Sequence, residues 1–259
     1  MNNLKLENIS KFYPKPAGAK LHVLEDINIS VESFENEGNF VSILASFESG
    51  KTTLLKIISA IEMPDSGKVL LDNEIYNKPA GKIVLIPEKP SSFPWLNVEQ
   101  NINSPTKVKS DRVKELVDTV GLTGYENHHS HNESLGFRFR ISLARALAVS
   151  PDFILMDDPF RRMNSETKDE IYELLKTIEA KYKINFILAT TNVSEAIYLS
   201  KKVYLMKKNP GKIIDEIKLD TETLKSKGLK GQERFVSLRN EIEKTFQASG
   251  EMLQTEMRI

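Results

Sequence analysis

The stretch Ile43-Leu44-Ala45-Ser46-Phe47-Glu48-Ser49-Gly50-Lys51-Thr52-Thr53-Leu54-Leu55 decides the fold of this chain. An apolar run from Phe40 to Leu44 ends in a short polar turn, and Gly-Lys-Thr then opens an apolar segment of helical character reaching Ile61. Strand, loop, helix is the setting in which a G-x-x-x-x-G-K-[ST] phosphate loop works. Backbone N–H groups at the helix start point into such a loop, and the helix dipole adds to their attraction for phosphate. Lys51 would then reach the outer phosphates and the Thr52 hydroxyl would ligate magnesium. Ala45 stands where the first glycine of the motif belongs. Alanine is small enough to leave the turn possible, so the loop is weakened and not refuted. A chance Gly-Lys-Thr in a strand–helix unit is the competing reading, and the rest of the chain discriminates between the two.

With 259 residues, 40% of them hydrophobic and 28% charged, the chain can bury a sizeable core as a soluble globular protein. That length accommodates one large domain, or one domain carrying a subdomain. Lys+Arg 36 balances Asp+Glu 36, so no electrostatic footprint for nucleic acid is present. No apolar run approaches the roughly 18 residues of a membrane span, and no signal peptide is expected at the N-terminus. The absence of cysteine excludes disulfides, thiol catalysis and zinc–thiolate sites, and it fits a reducing cytoplasm.

Leu4 to Ile9 and Val23 to Val31 alternate apolar and polar residues, which predicts two strands of a half-buried antiparallel layer. Between them Lys11-Phe12-Tyr13-Pro14-Lys15-Pro16 reads as a proline-punctuated loop whose two aromatics either anchor the loop or stack on a base. After a turn at Pro64–Gly67, strands are expected at Lys68–Asn73 and Lys82–Ile86. Four prolines then break up a loop-rich stretch that holds the only tryptophan, Trp95, and helical periodicity follows at Ser110–Val120 and Gly136–Val149. Residues from about 88 to 150 therefore read as a helical subdomain inserted into an α/β core. The core resumes with the apolar run Phe153–Met156 ending in Asp157-Asp158. Helix Glu166–Tyr182, strand Ile184–Ala189, helix Val193–Leu199 and strand Val203–Met206 complete a strand–helix alternation that argues a parallel sheet. The tail, Thr221–Ile259, is charged and helical, with a packing stripe of Phe235, Leu238, Ile242 and Phe246.

A phosphate loop needs a metal organiser, and a carboxylate at the end of a neighbouring buried strand supplies one. Asp157 sits at such a strand end with Asp158 beside it. One acid can hold the magnesium shell while the other polarises the attacking water. Read alone, Asp-Asp-Pro is a solvated turn; the upstream loop tips the reading toward the metal. His128, His129 and His131 cluster in one polar turn, but with no acid at ligand spacing they make a poor metal set.

Taken together, these blocks resemble the nucleotide-binding subunit of an ABC transporter, of the nitrate/sulfonate/taurine importer type. The stretches that carry the similarity are Phe93-Pro94-Trp95-Leu96 with Asn101-Ile102, Ala144 to Val149, Ile154 to Phe160, Glu195 to Leu199 and Asn209 to Ile213. The resemblance implies an α/β P-loop ATPase core across 1–259, with an antiparallel β layer and the inserted helical subdomain. It implies ATP and Mg2+ as cofactors, in two sites at the interface of a homodimer or of a heterodimer with a sibling ATPase subunit. A permease is the implied membrane partner, docked through the Trp95 region, with a periplasmic or extracellular solute-binding protein engaged indirectly. The implied location is peripheral, on the cytoplasmic face of the membrane. Tyr13 falls on the adenine-stacking position; Ala45, Ser46, Phe47, Glu48, Ser49, Gly50, Lys51, Thr52 and Thr53 form the phosphate loop. Ser134 and Gly136 fall in the signature motif that faces the partner's nucleotide.

Several positions depart from the family pattern, and they cluster in the catalytic parts. Glu88 stands where the family has a glutamine that senses the γ-phosphate, and with Thr52 and Asp157 it makes up the expected metal set. Glu133-Ser134-Leu135-Gly136 replaces Leu-Ser-Gly-Gly. Asp158 takes the place of the catalytic glutamate, Thr191 that of the switch histidine and Asn164 that of the aspartate after Walker B, while Glu48 puts a negative charge into an anion loop. The expected function is an importer's ATP-binding subunit with impaired hydrolysis; the alternative is a non-catalytic regulatory or assembly subunit.

Overall fold

A computed structural model describes residues 3–32, 37–89, 91–104, 109–131, 133–220 and 229–251. Two sheets sandwich the helix that follows the phosphate loop. The first is antiparallel, built from β1 (Leu4–Pro14), β2 (Lys20–Val31), β4 (Ser66–Leu71) and β5 (Glu74–Ile75) in the order β2-β1-β4-β5. Its apolar residues at alternate positions, Leu4, Leu6, Ile27, Ile29 and Val69 among them, turn inward and are buried. The second sheet has the order β10-β9-β3-β8-β7-β6. It consists of β3 (Phe40–Ala45), β6 (Ile83–Ile86), β7 (Phe153–Asp157), β8 (Asn185–Thr190), β9 (Lys202–Lys207) and β10 (Lys212–Lys218). The strands β9, β3, β8, β7 and β6 run parallel, and β10 pairs antiparallel at the edge. Every residue of β3, β7 and β8 is buried, which explains why these strands read as unbroken apolar runs and not as alternations.

Helix α1 (Lys51–Ile58) packs Leu54, Leu55, Ile57 and Ile58 into the layer between the two sheets, beside Leu6, Ile29, Ile43 and Leu155. Three helices, α2 (Val98–Asn103), α3 (Ser110–Thr119) and α4 (Leu135–Ala148), occupy the chain between β6 and β7. They pack on one another through Ile102, Val113, Leu116, Phe139 and Leu143, in a cluster continuous with α5 (Ser165–Tyr182) and the outer face of β7 and β8. On the far side, α6 (Val193–Leu199) and α7 (Leu229–Ala248) cover β3 and β9, with Leu238, Ile242 and Phe246 fully buried against Val193, Ile197 and Leu205.

The structure corrects the sequence reading at identifiable places. Lys11 to Pro14 is not a loop but the end of β1, whose residues pair with Leu24, His22, Leu21 and Lys20 of β2. Pro14 is tolerated because it closes the strand, where no ladder donor is demanded of it. Helix α2 has no readable periodicity at six residues; a capping box between Asn97 and Gln100 starts it. Strand β10, which mixes Ile213, Ile214 and Ile217 with four charged residues, pairs with β9 at the sheet edge and stays half-exposed. The helix after the loop ends at Ile58, short of the expected Ile61. Of the tail, 221–228 and 252–259 lie outside the described residues.

Candidate functional site

Parallel strands deliver their carboxyl ends to one edge of the sheet, and that edge collects the chemistry. β3 ends at Ala45, β8 at Thr190 and β7 at Asp157, with Asp157 registered on Ala189 and Leu44 on Thr190. β8 separates β3 from β7, which leaves room for the phosphate loop to arch from β3 into α1 above the end of β7. Gly50 makes that arch possible. Its φ of 94° is left-handed, and a Cβ there would stand 2.9 Å from Leu24 Cδ2. No side chain caps the start of α1, so its first N–H groups stay available.

The Lys51 side chain folds back under the loop, donating to Ala45 O at 3.2 Å and Ser46 O at 2.9 Å. Burial pushes its ammonium below the ordinary lysine value, with Asp158 and Asp157 pulling the other way. The Thr52 hydroxyl donates to Asp157 Oδ2 at 2.7 Å. The Thr191 hydroxyl donates to Asp158 Oδ2 at 3.3 Å, and Asp158 N donates to Ala189 O at 2.8 Å. Burial raises both carboxyls above the usual aspartate range; the Thr52 bond and the Lys51 charge oppose this at Asp157, and chiefly Lys51 at Asp158. A cavity of about 260 Å³ opens between these groups. Phe47, Glu48, Ser49, Gly50, Lys51, Thr52 and Thr53 line it from the loop, and Glu88, Asp157, Asp158 and Arg161 from the opposite wall.

Two features of the cavity fit an anion with its cation. Ser49, which lines the cavity, has a buried Oγ with no hydrogen-bond partner among the described residues. Thr52 Oγ1 and Asp157 Oδ2 lie side by side as two hard oxygen ligands, the donor set magnesium takes. Glu88 lines the same cavity, so the residues expected to hold the metal are together.

Other expected site residues lie elsewhere. Tyr13 does not line the cavity. Its hydroxyl donates to Glu62 Oε1 at 2.5 Å and lies 3.5 Å from Thr53 Oγ1, while Lys11 sits over its ring. Its neighbour Phe12 stacks on His22 at 4.2 Å. Ser46 turns its hydroxyl away from the cavity, donating to Glu251 Oε2 at 2.8 Å. Ala45 is wholly buried as the last residue of β3. Ser134 caps α4 by accepting from Phe137 N at 3.2 Å, and Gly136 lets α4 approach α5, since a Cβ there would meet Thr167 Cγ2 at 2.5 Å. Leu135 borders a small cleft with Glu88, Asp158 and Arg161. In the histidine turn, His128 O accepts from Val98 N at 2.9 Å and His129 forms a backbone bridge to Asn97. No group of three metal-ligating side chains occurs among the described residues.

A profile of the family described as ABC transporter matches residues 25–161, from the second strand through the phosphate loop to the Asp157-Asp158 turn. The chain belongs to the ABC transporter family. The aliphatic sulfonates import ATP-binding protein SsuB of Bacillus cereus is 33% identical over 98% of this chain and 99% of its own length. The taurine import ATP-binding protein TauB of Pelagibacter ubique is 30% identical, covering 93% and 94%. The nitrate import ATP-binding protein NrtD of Synechocystis is 29% identical over 93% of each. Among solved structures, a dimeric post-hydrolysis state of the ATP-binding cassette MJ0796 bound to ADP and Pi matches with a TM-score of 0.72. It is 28% identical and covers 83% of this chain and 98% of that one. The fold is therefore that of an ABC ATPase cassette. Two contributors to this ABC cassette's site escaped the sequence reading. Glu251 reaches the loop from beyond α7, a contact across 205 residues that no local signal announces. Arg161 joins the cavity wall, and its only signal was a cation directly after Asp-Asp-Pro-Phe.

Proposed function

We propose that this chain is the ATP-binding subunit of an importer, that it binds Mg-ATP at its phosphate loop in a dimer, and that it hydrolyses ATP slowly. The observation that supports this best is the Lys51–Thr52–Asp157 arrangement beneath the loop. In this reading the free N–H groups of α1 hold the phosphates and Lys51 leaves the Ala45 and Ser46 carbonyls for the outer phosphate oxygens. Thr52 and Asp157 hold magnesium, which screens the phosphate charge. Asp158 would orient the attacking water. It is one methylene shorter than glutamate, it is engaged by the Thr191 hydroxyl, and no imidazole stands at residue 191. A displaced general base costs about 10²–10⁴ in rate.

Ser134 and Leu135 at the start of α4 would face the nucleotide of a second subunit, where Leu135 crowds the backbone approach that glycine allows. No partner then restores a site of the family pattern, because this chain's own site lacks the glutamate and histidine. Trp95, 68% exposed, offers a peripheral contact to a permease. No described helix is long and apolar enough to cross a membrane. Calorimetry with Mg-ATP and a turnover assay test the reading. Binding with slow turnover is expected, with a gain in the combined Asp158→Glu, Thr191→His, Leu135→Gly variant. Turnover typical of ABC ATPases in the unmutated protein, with no gain on repair, would refute the impaired-hydrolysis part. Absence of ATP binding would leave the regulatory or assembly role in its place.

A further inference from the structure

We infer that Arg161 binds the terminal phosphate of a nucleoside triphosphate in this chain's own site; the inference rests on the nucleotide-binding reading above. Phe160 is wholly buried, with Phe139 at 5.6 Å and Tyr172 at 5.1 Å, and this anchor fixes where the next residue emerges. Arg161 emerges at the cavity wall and lays its guanidinium over the Phe47 ring, 4.9 Å from the centroid. The stacked guanidinium is held over the phosphate loop instead of trailing in solvent. Among the described residues its N–H groups make no hydrogen bond or ion pair with a side chain, so the donors are unspent.

Charge makes the need for it plain. Glu48, Glu88, Asp157 and Asp158 line the cavity, and Lys51 and Arg161 are its only cations among the described residues. Lys51 is buried and approaches from beneath the loop, where it donates to the Ala45 and Ser46 carbonyls. The edge of β8 contributes no positive charge, only the Thr191 hydroxyl. A triphosphate brings further negative charge to a wall already rich in carboxylates, and a planar guanidinium is the group that takes phosphate oxygens in pairs. The inner phosphates lie against the loop N–H groups. Arg161 lies beside Glu88 and Asp158, the carboxylate that would orient the attacking water and therefore faces the terminal phosphate. Discrimination between ATP and ADP is therefore the signature of its role.

The test is calorimetry of Mg-ADP and of a magnesium-bound non-hydrolysable ATP analogue, on the unmutated protein and on Arg161→Ala and Arg161→Lys. Alanine is expected to weaken the triphosphate by about tenfold or more and the diphosphate by less than about threefold. Lysine should recover part of the difference. Thermal unfolding confirms that the exposed substitution leaves the fold intact. Equal losses for both nucleotides, or none, would overturn the assignment while leaving the nucleotide-binding reading standing. Failure of the unmutated protein to bind either nucleotide would overturn both.

Discussion

Replacing Lys51 by methionine keeps most of the aliphatic stem beneath the phosphate loop and removes only the ammonium. The Ala45 and Ser46 carbonyls lose a donor, each bond being worth about 1.5–3 kcal/mol when one partner is charged. Against that, the lysine is buried and its charge is disfavoured there, so losing it relieves a desolvation cost. The deciding change falls on the carboxylates. Asp157 and Asp158 are buried, their pKa values stand above the ordinary aspartate value because of that burial, and Lys51 draws both back down, second to the Thr52 bond at Asp157. A carboxyl with a raised folded pKa favours the folded state at low pH and costs stability as pH rises through that pKa, because the unfolded chain then releases the proton more readily. Removing Lys51 raises both values further, so the penalty must grow with pH. Leaving a buried charge unpaired typically costs about 3–5 kcal/mol; with the Thr52 and Thr191 hydroxyls still bonded, about 2 kcal/mol is expected near pH 8 and less near pH 5. ATP affinity should fall by about 2–3 kcal/mol, or about 30- to 150-fold. Urea unfolding at the two pH values, with calorimetry of Mg-ATP at the higher one, reads both effects. A stability loss independent of pH, or an undiminished affinity, would refute the reasoning.

Trp95→Ala should leave stability within about 1 kcal/mol and ATP affinity unchanged, because the ring is exposed and stacks on Phe93, over whose ring Arg145 also lies. Its expected loss is in co-purification with a permease. Gly211→Ala should destabilise the fold by about 1–3 kcal/mol and weaken ATP binding, since the new Cβ would meet Ser49 O at 2.4 Å and push on the phosphate loop; thermal melts and calorimetry read it. Glu251→Ala removes a carboxylate that accepts from both the Ser46 hydroxyl and the Lys208 backbone N–H. A loss of about 1–2 kcal/mol and faster hydrogen exchange in α7 are expected, with unchanged protection there counting against the tether.

Sequence by itself determined the parts of this protein that are local or periodic. Gly50-Lys51-Thr52 between an apolar run and an apolar helix specifies a phosphate loop, because a strand end, a residue able to adopt left-handed φ and an uncapped helix start are all neighbours in the chain. Phe153 to Asp157 announced a buried strand ending in an acid for the same reason. What only the tertiary structure decided is which distant groups share the cavity. Strand β8 lies between β3 and β7, and this order places Asp157 on Thr52, Thr191 on Asp158 and Glu88 and Arg161 on the same wall. It also set Tyr13 against Glu62, made an edge strand of Lys212–Lys218, and carried Glu251 to Ser46. Hydrophobic periodicity reports which face of an element is buried; it is silent on what that face meets, because packing order is chosen by the summed fit of many surfaces and not by any one of them.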